Sequence, residues 1–304
     1  MKEPIFTGSA VAIITPMNDD CSVNYDEFKK FIDYQIDNGT DAIVICGTTG
    51  ESSTLKTVHH LEAIKFCVDY VNGRVPVIAG AGSNNTECGI EIATKACEYG
   101  CDALLLVTPY YNKCTQKGLI KHYTMYHEAT DKPIILYNVP SRTGVNILPE
   151  TLKELSKLPR INGVKEASGN ISQVMKIRAL CGDDLNIWSG NDDQIPAVMS
   201  CGGKGVISVL ANICPQETHD MVQAYLDGDA NKCTDMMAQY LELANALFVE
   251  VNPIPVKAAC NMVGWNAGPC KMPLCEMTDE HTAYLKSVLN LSLIHISEPT
   301  RLRC

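Results

Sequence analysis

Hydrophobic and polar positions along the chain follow a repeating rhythm. Short runs of apolar, β-branched residues alternate with longer segments whose apolar positions recur at helical spacing. The pairs are 9–15 with 25–38, 42–46 with 58–71, 76–79 with 87–99, and 103–107 with 117–129. They continue as 134–137 with 149–156, 163–165 with 172–179, 186–188 with 194–200, and 205–209 with 215–225. Gly39, just past the first longer segment, reads as a helix stop. Such alternation predicts a parallel sheet, and eight units suit an α/β fold closed as a (β/α)8 TIM barrel. A doubly wound open sheet is the alternative. It wants a Gly-rich phosphate turn after the first strand, and Thr15, Pro16 and Met17 do not make one.

After Asp229 the alternation stops. Segments 230–249, 254–263 and 279–291 read as helices with no strand between them. The expected organisation is a barrel over 1–229 with a C-terminal helical extension over 230–291. The last thirteen residues, 292–304, do not continue the helical pattern of 282–289. They read as a non-native tail, with a natural polar tail as the competing view.

Composition narrows the classes. The 304 residues are 46% hydrophobic and 20% charged, as in an ordinary globular chain. A formal charge of −10 without Lys/Arg runs argues against a nucleic-acid partner. No apolar run reaches the ~18 residues of a membrane span. Fifteen cysteines demand a decision. The first ten residues lack the basic start and long apolar run of a secretion signal, and no C-x-x-C occurs. Cys46, Cys67 and Cys97 read as small core hydrophobes, so neither structural zinc nor a disulfide framework is expected. The expectation is a reduced, cytoplasmic protein.

The chemistry centres on I-N-G-V-K-E-A-S-G-N at 161–170. Lys165 interrupts what otherwise reads as a buried strand. Desolvation disfavours its ammonium, which makes a nucleophilic amine accessible near pH 7. That is what attack on a carbonyl requires. A lysine that ends its strand and points into water is the plainer reading, and in isolation the commoner one.

The other strand ends change the odds, because barrel active sites collect there. They are G-T-T-G-E-S at 47–52, T-P-Y-Y-N at 108–112, Y-N-V-P-S-R-T-G at 137–144, S-G-N-D-D at 189–193 and V-I-S-V-L at 206–210. The 47–52 loop, ahead of a helix, offers hydroxyls and backbone N–H groups to a small anion. A plain strand-to-helix turn would look similar. Tyr137 is a phenol able to pass a proton to an intermediate on Lys165, or else a core aromatic. Arg142 can grip a carboxylate with two N–H groups, or else sit solvated on the surface. Tyr110 and Tyr111 face opposite ways if strand geometry continues through them. His59 and His60 are adjacent, but no H-E-x-x-H, Walker loop or dinucleotide fingerprint occurs. A lysine, phenols, hydroxyls and an arginine, with no metal or cofactor expected, fit imine-based carbon–carbon bond formation.

Three motifs in this order, at 47–52, 137–144 and 163–170, resemble the dihydrodipicolinate synthase/N-acetylneuraminate lyase family. The resemblance runs from about Pro4 to Leu291. It implies a Schiff base between Lys165 and pyruvate, with no other cofactor. It gives Thr48, Tyr137 and Tyr111 a proton relay, with Tyr111 supplied by the adjacent subunit of a homotetramer built from two tight dimers. Thr49 would hold the pyruvate carboxylate, Arg142 the carboxylate of aspartate semialdehyde, and Gly190 and Ile207 would line the pocket through their backbone. The implied reaction condenses the two substrates on the route to diaminopimelate and lysine. The nearest rival is a sibling aldolase for a sialic acid or keto-deoxy sugar acid, which would want more hydroxyl-binding side chains around 208–212. A barrel retained as a binding protein has no need of Lys165, Tyr137 and Thr48 together.

The resemblance also implies an effector site for lysine at Ser52, Ser53, Thr57, His60, Asn84, Cys88 and Tyr110. Two positions depart from the sensitive pattern: Thr57 replaces a histidine and Cys88 a glutamate. Without a carboxylate at 88 the effector's ammonium lacks its partner, so weak or absent feedback is expected.

Overall fold

The computed structural model describes residues 2–295. Eight strands form one closed, all-parallel barrel in sequence order, with the eighth pairing the first. They are β1 (Gly8–Ala12), β2 (Ala42–Ile45), β3 (Val77–Gly80), β4 (Ala103–Val107), β5 (Ile134–Asn138), β6 (Ile161–Glu166), β7 (Asn186–Ser189) and β8 (Gly205–Ser208). Between them run α1 (Tyr25–Asp37), α2 (Thr57–Val71), α3 (Thr86–Glu98), α4 (Gln116–Ala129), α5 (Pro140–Thr143), α6 (Pro149–Leu155), α7 (Ile171–Cys181) and α8 (Ile195–Ser200). Then follow α9 (Pro215–Leu226), α10 (Ala230–Ala246), α11 (Ile254–Met262) and α12 (Asp279–His295).

The strands are apolar without alternation because both of their faces are covered. In β2 every residue of A-I-V-I is buried. One face looks into the barrel and the other meets the helical ring. Two apolar clusters result. The inner one holds Ala10, Ala42, Val44, Ile78, Ala103, Ile135 and Trp188. The outer one lies under the helices and includes Ile13, Phe28, Phe31, Ile43, Ile64 and Tyr123. Phe6, just ahead of β1, stacks on Trp188 at 5.1 Å and accepts its indole N–H.

Helix starts are written in the sequence. Asn24, Asn85, Thr115, Asn170 and Asp229 each accept a first-turn backbone N–H. Such caps satisfy donors that the helix itself cannot.

The observed elements match the predicted rhythm to within a few residues at most ends. Strand β6 is longer than expected at both ends, because Asn162 and Glu166 are held by side-chain bonds rather than by apolar burial. The short α5 was not anticipated. Strand geometry does not continue through Tyr110 and Tyr111: β4 stops at Val107, and Tyr111 turns with φ +68°. Helix α12 extends to His295, into the segment set aside as a tail; residues 296–304 of that tail lie outside the described residues. Past the barrel, α10 packs on α9, and α12 on α10 and α11.

Candidate active site

Register places the central pair. Tyr137 and Lys165 are direct partners across β5 and β6, so both enter the same end of the barrel. The Lys165 ammonium nitrogen lies 4.5 Å from the centre of the Tyr137 ring. Lys165 is buried at 5% exposure. Burial lowers its pKa to about 8, with Asp192 pulling upward and Arg142 pushing further down. Desolvation raises the Tyr137 phenol, while Arg142 and a side-chain hydrogen bond from Thr48 oppose that rise.

These groups line a cavity of about 190 Å³ at the C-terminal ends of the strands. Thr48, Thr49, Tyr137, Arg142, Lys165 and Gly190 all contribute to its wall. The 47–52 nest supplies one side. The chain turns into it at Cys46, a non-glycine in the left-handed region at φ +53°. A Cβ on Gly80 would lie 2.1 Å from the Cys46 carbonyl oxygen, so this turn needs glycine on the neighbouring strand. Thr15 donates its hydroxyl to the Gly50 carbonyl at 2.8 Å, which fixes the loop from below.

Arg142 rides on α5 at the mouth and donates to the Asn252 carbonyl at 3.2 Å. The Asn252 amide in turn donates to Thr49 Oγ1 at 3.0 Å. Gly144, at φ +70°, caps α5 by returning its N–H to Pro140.

Ile207, expected to contribute its backbone, and Tyr111, expected to serve an adjacent subunit, are not in this wall. Ile207 is fully buried in the inner apolar cluster; Val209, the next inward position nearer the mouth, lines the cavity instead. Tyr111 is 90% exposed and does not line its own chain's cavity.

The residues expected to form an effector site lie on α2, α3 and the segments beside them. Ser52 borders a small cavity of about 40 Å³ behind Thr48 and Tyr137. Ser53, Thr57 and Cys88 are exposed, and Asn84 and Tyr110 half-buried. His60 differs: it is 6% exposed with Nε2 paired to the Gly80 carbonyl at 2.8 Å. Desolvation holds its pKa down, so it serves here as a neutral link between α2 and β3.

Several site residues escaped sequence reasoning. Asn252 and Phe248 come from beyond the barrel and still line the cavity. Asp192 is buried behind Lys165, its Oδ2 accepting from the Val209 and Leu210 N–H groups. Glu51 and Lys257 form a buried ion pair at 2.8 Å. A lysine inside the apolar run I-P-V-K-A-A-C is the signal that could have found the last, as it found Lys165. Among the described residues no group of three or more His, Cys, Asp or Glu could hold a metal ion. No helix among them is long and apolar enough to cross a membrane.

A family model described as the dihydrodipicolinate synthetase family matches residues 5–291. The 4-hydroxy-tetrahydrodipicolinate synthase of Caldicellulosiruptor saccharolyticus is 55% identical over 295 residues, covering 97% of this chain and all of that protein. The crystal structure of dihydrodipicolinate synthase from Aquifex aeolicus superposes with TM-score 0.92 at 41% identity, covering 94% and 97% of the two chains. That of the Cyanidioschyzon merolae enzyme with lysine bound gives 0.93 at 36% identity, covering 96% and 100%. With the family model spanning nearly the whole barrel and its C-terminal helices, this chain belongs to the dihydrodipicolinate synthetase family.

Proposed function

We propose that the chain is a 4-hydroxy-tetrahydrodipicolinate synthase, condensing pyruvate with L-aspartate 4-semialdehyde through an imine on Lys165. One observation carries the reading: a buried lysine with its pKa lowered to about 8 beside a phenol, at the wall of a small polar-lipped cavity. The neutral Nζ adds to the pyruvate ketone, and the carbinolamine loses water to give the imine. Loss of a C3 proton gives the enamine, whose C3 attacks the aldehyde of the second substrate. The new amino acid's own amine then displaces Lys165 by adding to the imine carbon, which closes the ring and frees the enzyme.

Each wall residue has a matching task. Thr49 and the nest N–H groups take the pyruvate carboxylate, and Arg142 takes that of the aldehyde. Thr48 and Tyr137, already hydrogen-bonded, move the protons. Tyr111 completes this relay in a neighbouring subunit of a homotetramer. Its 90% exposure and its absence from its own chain's cavity support that assignment. Residues 230–291 are an extension of the barrel, not a separate unit, and fourteen free cysteines among the described residues suit the reducing cytoplasm.

A sibling aldolase for polyhydroxylated substrates is disfavoured. Ser208 and Asn212 are fully buried, and they are bound to the Ala211 N–H and to the Ile14 N–H and Ala12 carbonyl respectively. Neither is available to a sugar hydroxyl. The test supplies pyruvate with aspartate semialdehyde or with N-acetylmannosamine and follows pyruvate consumption. The account expects turnover with the first alone; turnover with the second only would replace the reading.

A further inference from the structure

We infer that Glu51 and Lys257 are positioning residues, a buried charge pair through which the C-terminal helices set the place of Thr48 and Thr49 in the nest. The inference rests on the reading above, in which Thr49 takes the pyruvate carboxylate and Thr48 moves protons.

Glu51 is part of the nest, two residues past Thr49, and its backbone lies in the left-handed region at φ +58°. A non-glycine held there needs its surroundings to fix it. Its N–H donates to the Thr48 carbonyl at 3.1 Å, so the side chain's position bears directly on the threonines. The carboxylate ties together three distant segments. Oε1 takes the Lys257 ammonium of α11 at 2.8 Å, and Oε2 takes the Lys271 backbone N–H at 2.7 Å. The same ammonium donates to the Pro269 carbonyl at 2.6 Å. Both side chains are essentially sealed, at 1% and 0% exposure.

A sealed pair of this kind is poor value as a stability device. Desolvating two charges offsets most of their attraction, and apolar replacements of both are often neutral or better. What charge-assisted bonds supply is direction and fixed distance. Asn252 adds a second strut from the same region, through its bond to Thr49 Oγ1. The nest is therefore held by the chain beyond the barrel at two adjacent points, one on each side of Gly50.

A plain fold staple would share this geometry, and kinetics separate the two. Lys257→Met alone strands a buried carboxylate and lowers the melting temperature. The double variant Glu51→Gln/Lys257→Met removes both charges and leaves an amide for the Lys271 N–H. It is expected to melt within a few degrees of wild type, yet to show a pyruvate KM raised about tenfold or more with a smaller fall in kcat. Borohydride trapping of pyruvate on Lys165 should recover at saturating pyruvate. Glu51→Gln alone strands the buried Lys257 ammonium and, like Lys257→Met, should lower the melting temperature. A folded double variant with pyruvate KM within twofold of wild type would overturn the positioning role. Loss of fold in both variants would assign the pair to stability and overturn it equally. A wild type that traps no pyruvate would instead overturn the proposed function, and the inference with it.

Discussion

Gly190 presses its backbone against Lys165, the proposed nucleophile, and filling that space should disable the site without unfolding the barrel. It follows β7 directly, and its N–H donates to the Glu166 carbonyl at 2.8 Å. A Cβ added here would lie 3.0 Å from Lys165 Cε, 3.1 Å from Lys165 Cγ and 2.7 Å from the Ala167 Cβ. Carbon atoms prefer roughly 3.5–4.0 Å, so in Gly190→Ala the lysine chain must retreat by about 0.5–1 Å. Gly190 is not among the left-handed glycines, so alanine meets no backbone objection. The effect is steric alone. Displacing a reacting group by about 1 Å costs on the order of 100-fold in rate, and overpacking of this kind costs about 1–3 kcal/mol in stability. Steady-state kcat/KM with both substrates, beside a thermal melt, reads both numbers. A folded Gly190→Ala enzyme within threefold of wild type would refute the packing argument.

With its pKa at about 8, Lys165 should be about one-tenth neutral at pH 7, so the imine-trapping rate should climb tenfold per pH unit and level off near 8; a plateau already present below pH 7 would contradict this. The same shift, from 10.5 to about 8, costs the folded state about 3 kcal/mol below pH 8. Between pH 8 and 10.5 the unfolded chain holds the extra proton, so that cost is relieved as pH rises, and Lys165→Met should gain most over wild type near neutrality in denaturant melts. L-Lysine should inhibit weakly or not at all, since Cys88 offers no carboxylate to its ammonium and each 1.4 kcal/mol lost is about tenfold in affinity; strong inhibition below about 1 mM would show that Cys88 does not break the site. Mixing inactive Tyr111→Phe with inactive Lys165→Ala subunits should restore activity on subunit exchange. Full activity in a monomer stable on sedimentation would exclude that arrangement.

The barrel was legible because its signal is long and redundant. The doubly covered strands read mostly as apolar runs, and five of the helices carry capping side chains at their starts. Lys165 stood out because a charge inside such a run is costly. Its partnership with Tyr137 is a matter of register, which follows once β5 and β6 are neighbours. Part of what stayed hidden depended on contacts across more than two hundred positions. Asn252 reaches Thr49 and Lys257 reaches Glu51 only after the chain has circled the barrel and turned back over it. No local pattern encodes that return. The directions of Tyr110 and Tyr111 were not legible for a different reason: the left-handed turn at Tyr111 belongs to a loop, where strand alternation no longer governs direction.

The Tyr110–Tyr111 turn and the Arg142 helix share one consequence. The first is a loop and the second a four-residue helix in the β5–β6 connection, whereas Lys165 and Tyr137 sit on paired strands. Lys165 and Tyr137 are therefore fixed by the sheet. Arg142, proposed to meet the second substrate, is held by a weaker strut, its 3.2 Å bond to the Asn252 carbonyl. Under the proposed roles, substrate choice should be easier to alter than imine formation.

Lys165 as the nucleophile is open to a direct chemical test. The protein is incubated with pyruvate and borohydride, digested, and mapped by mass spectrometry. The account predicts a reduced pyruvate adduct on Lys165, absent without pyruvate and absent in a folded Lys165→Ala variant that has lost the condensation. An adduct on another lysine, or turnover close to wild type in Lys165→Ala, would contradict it.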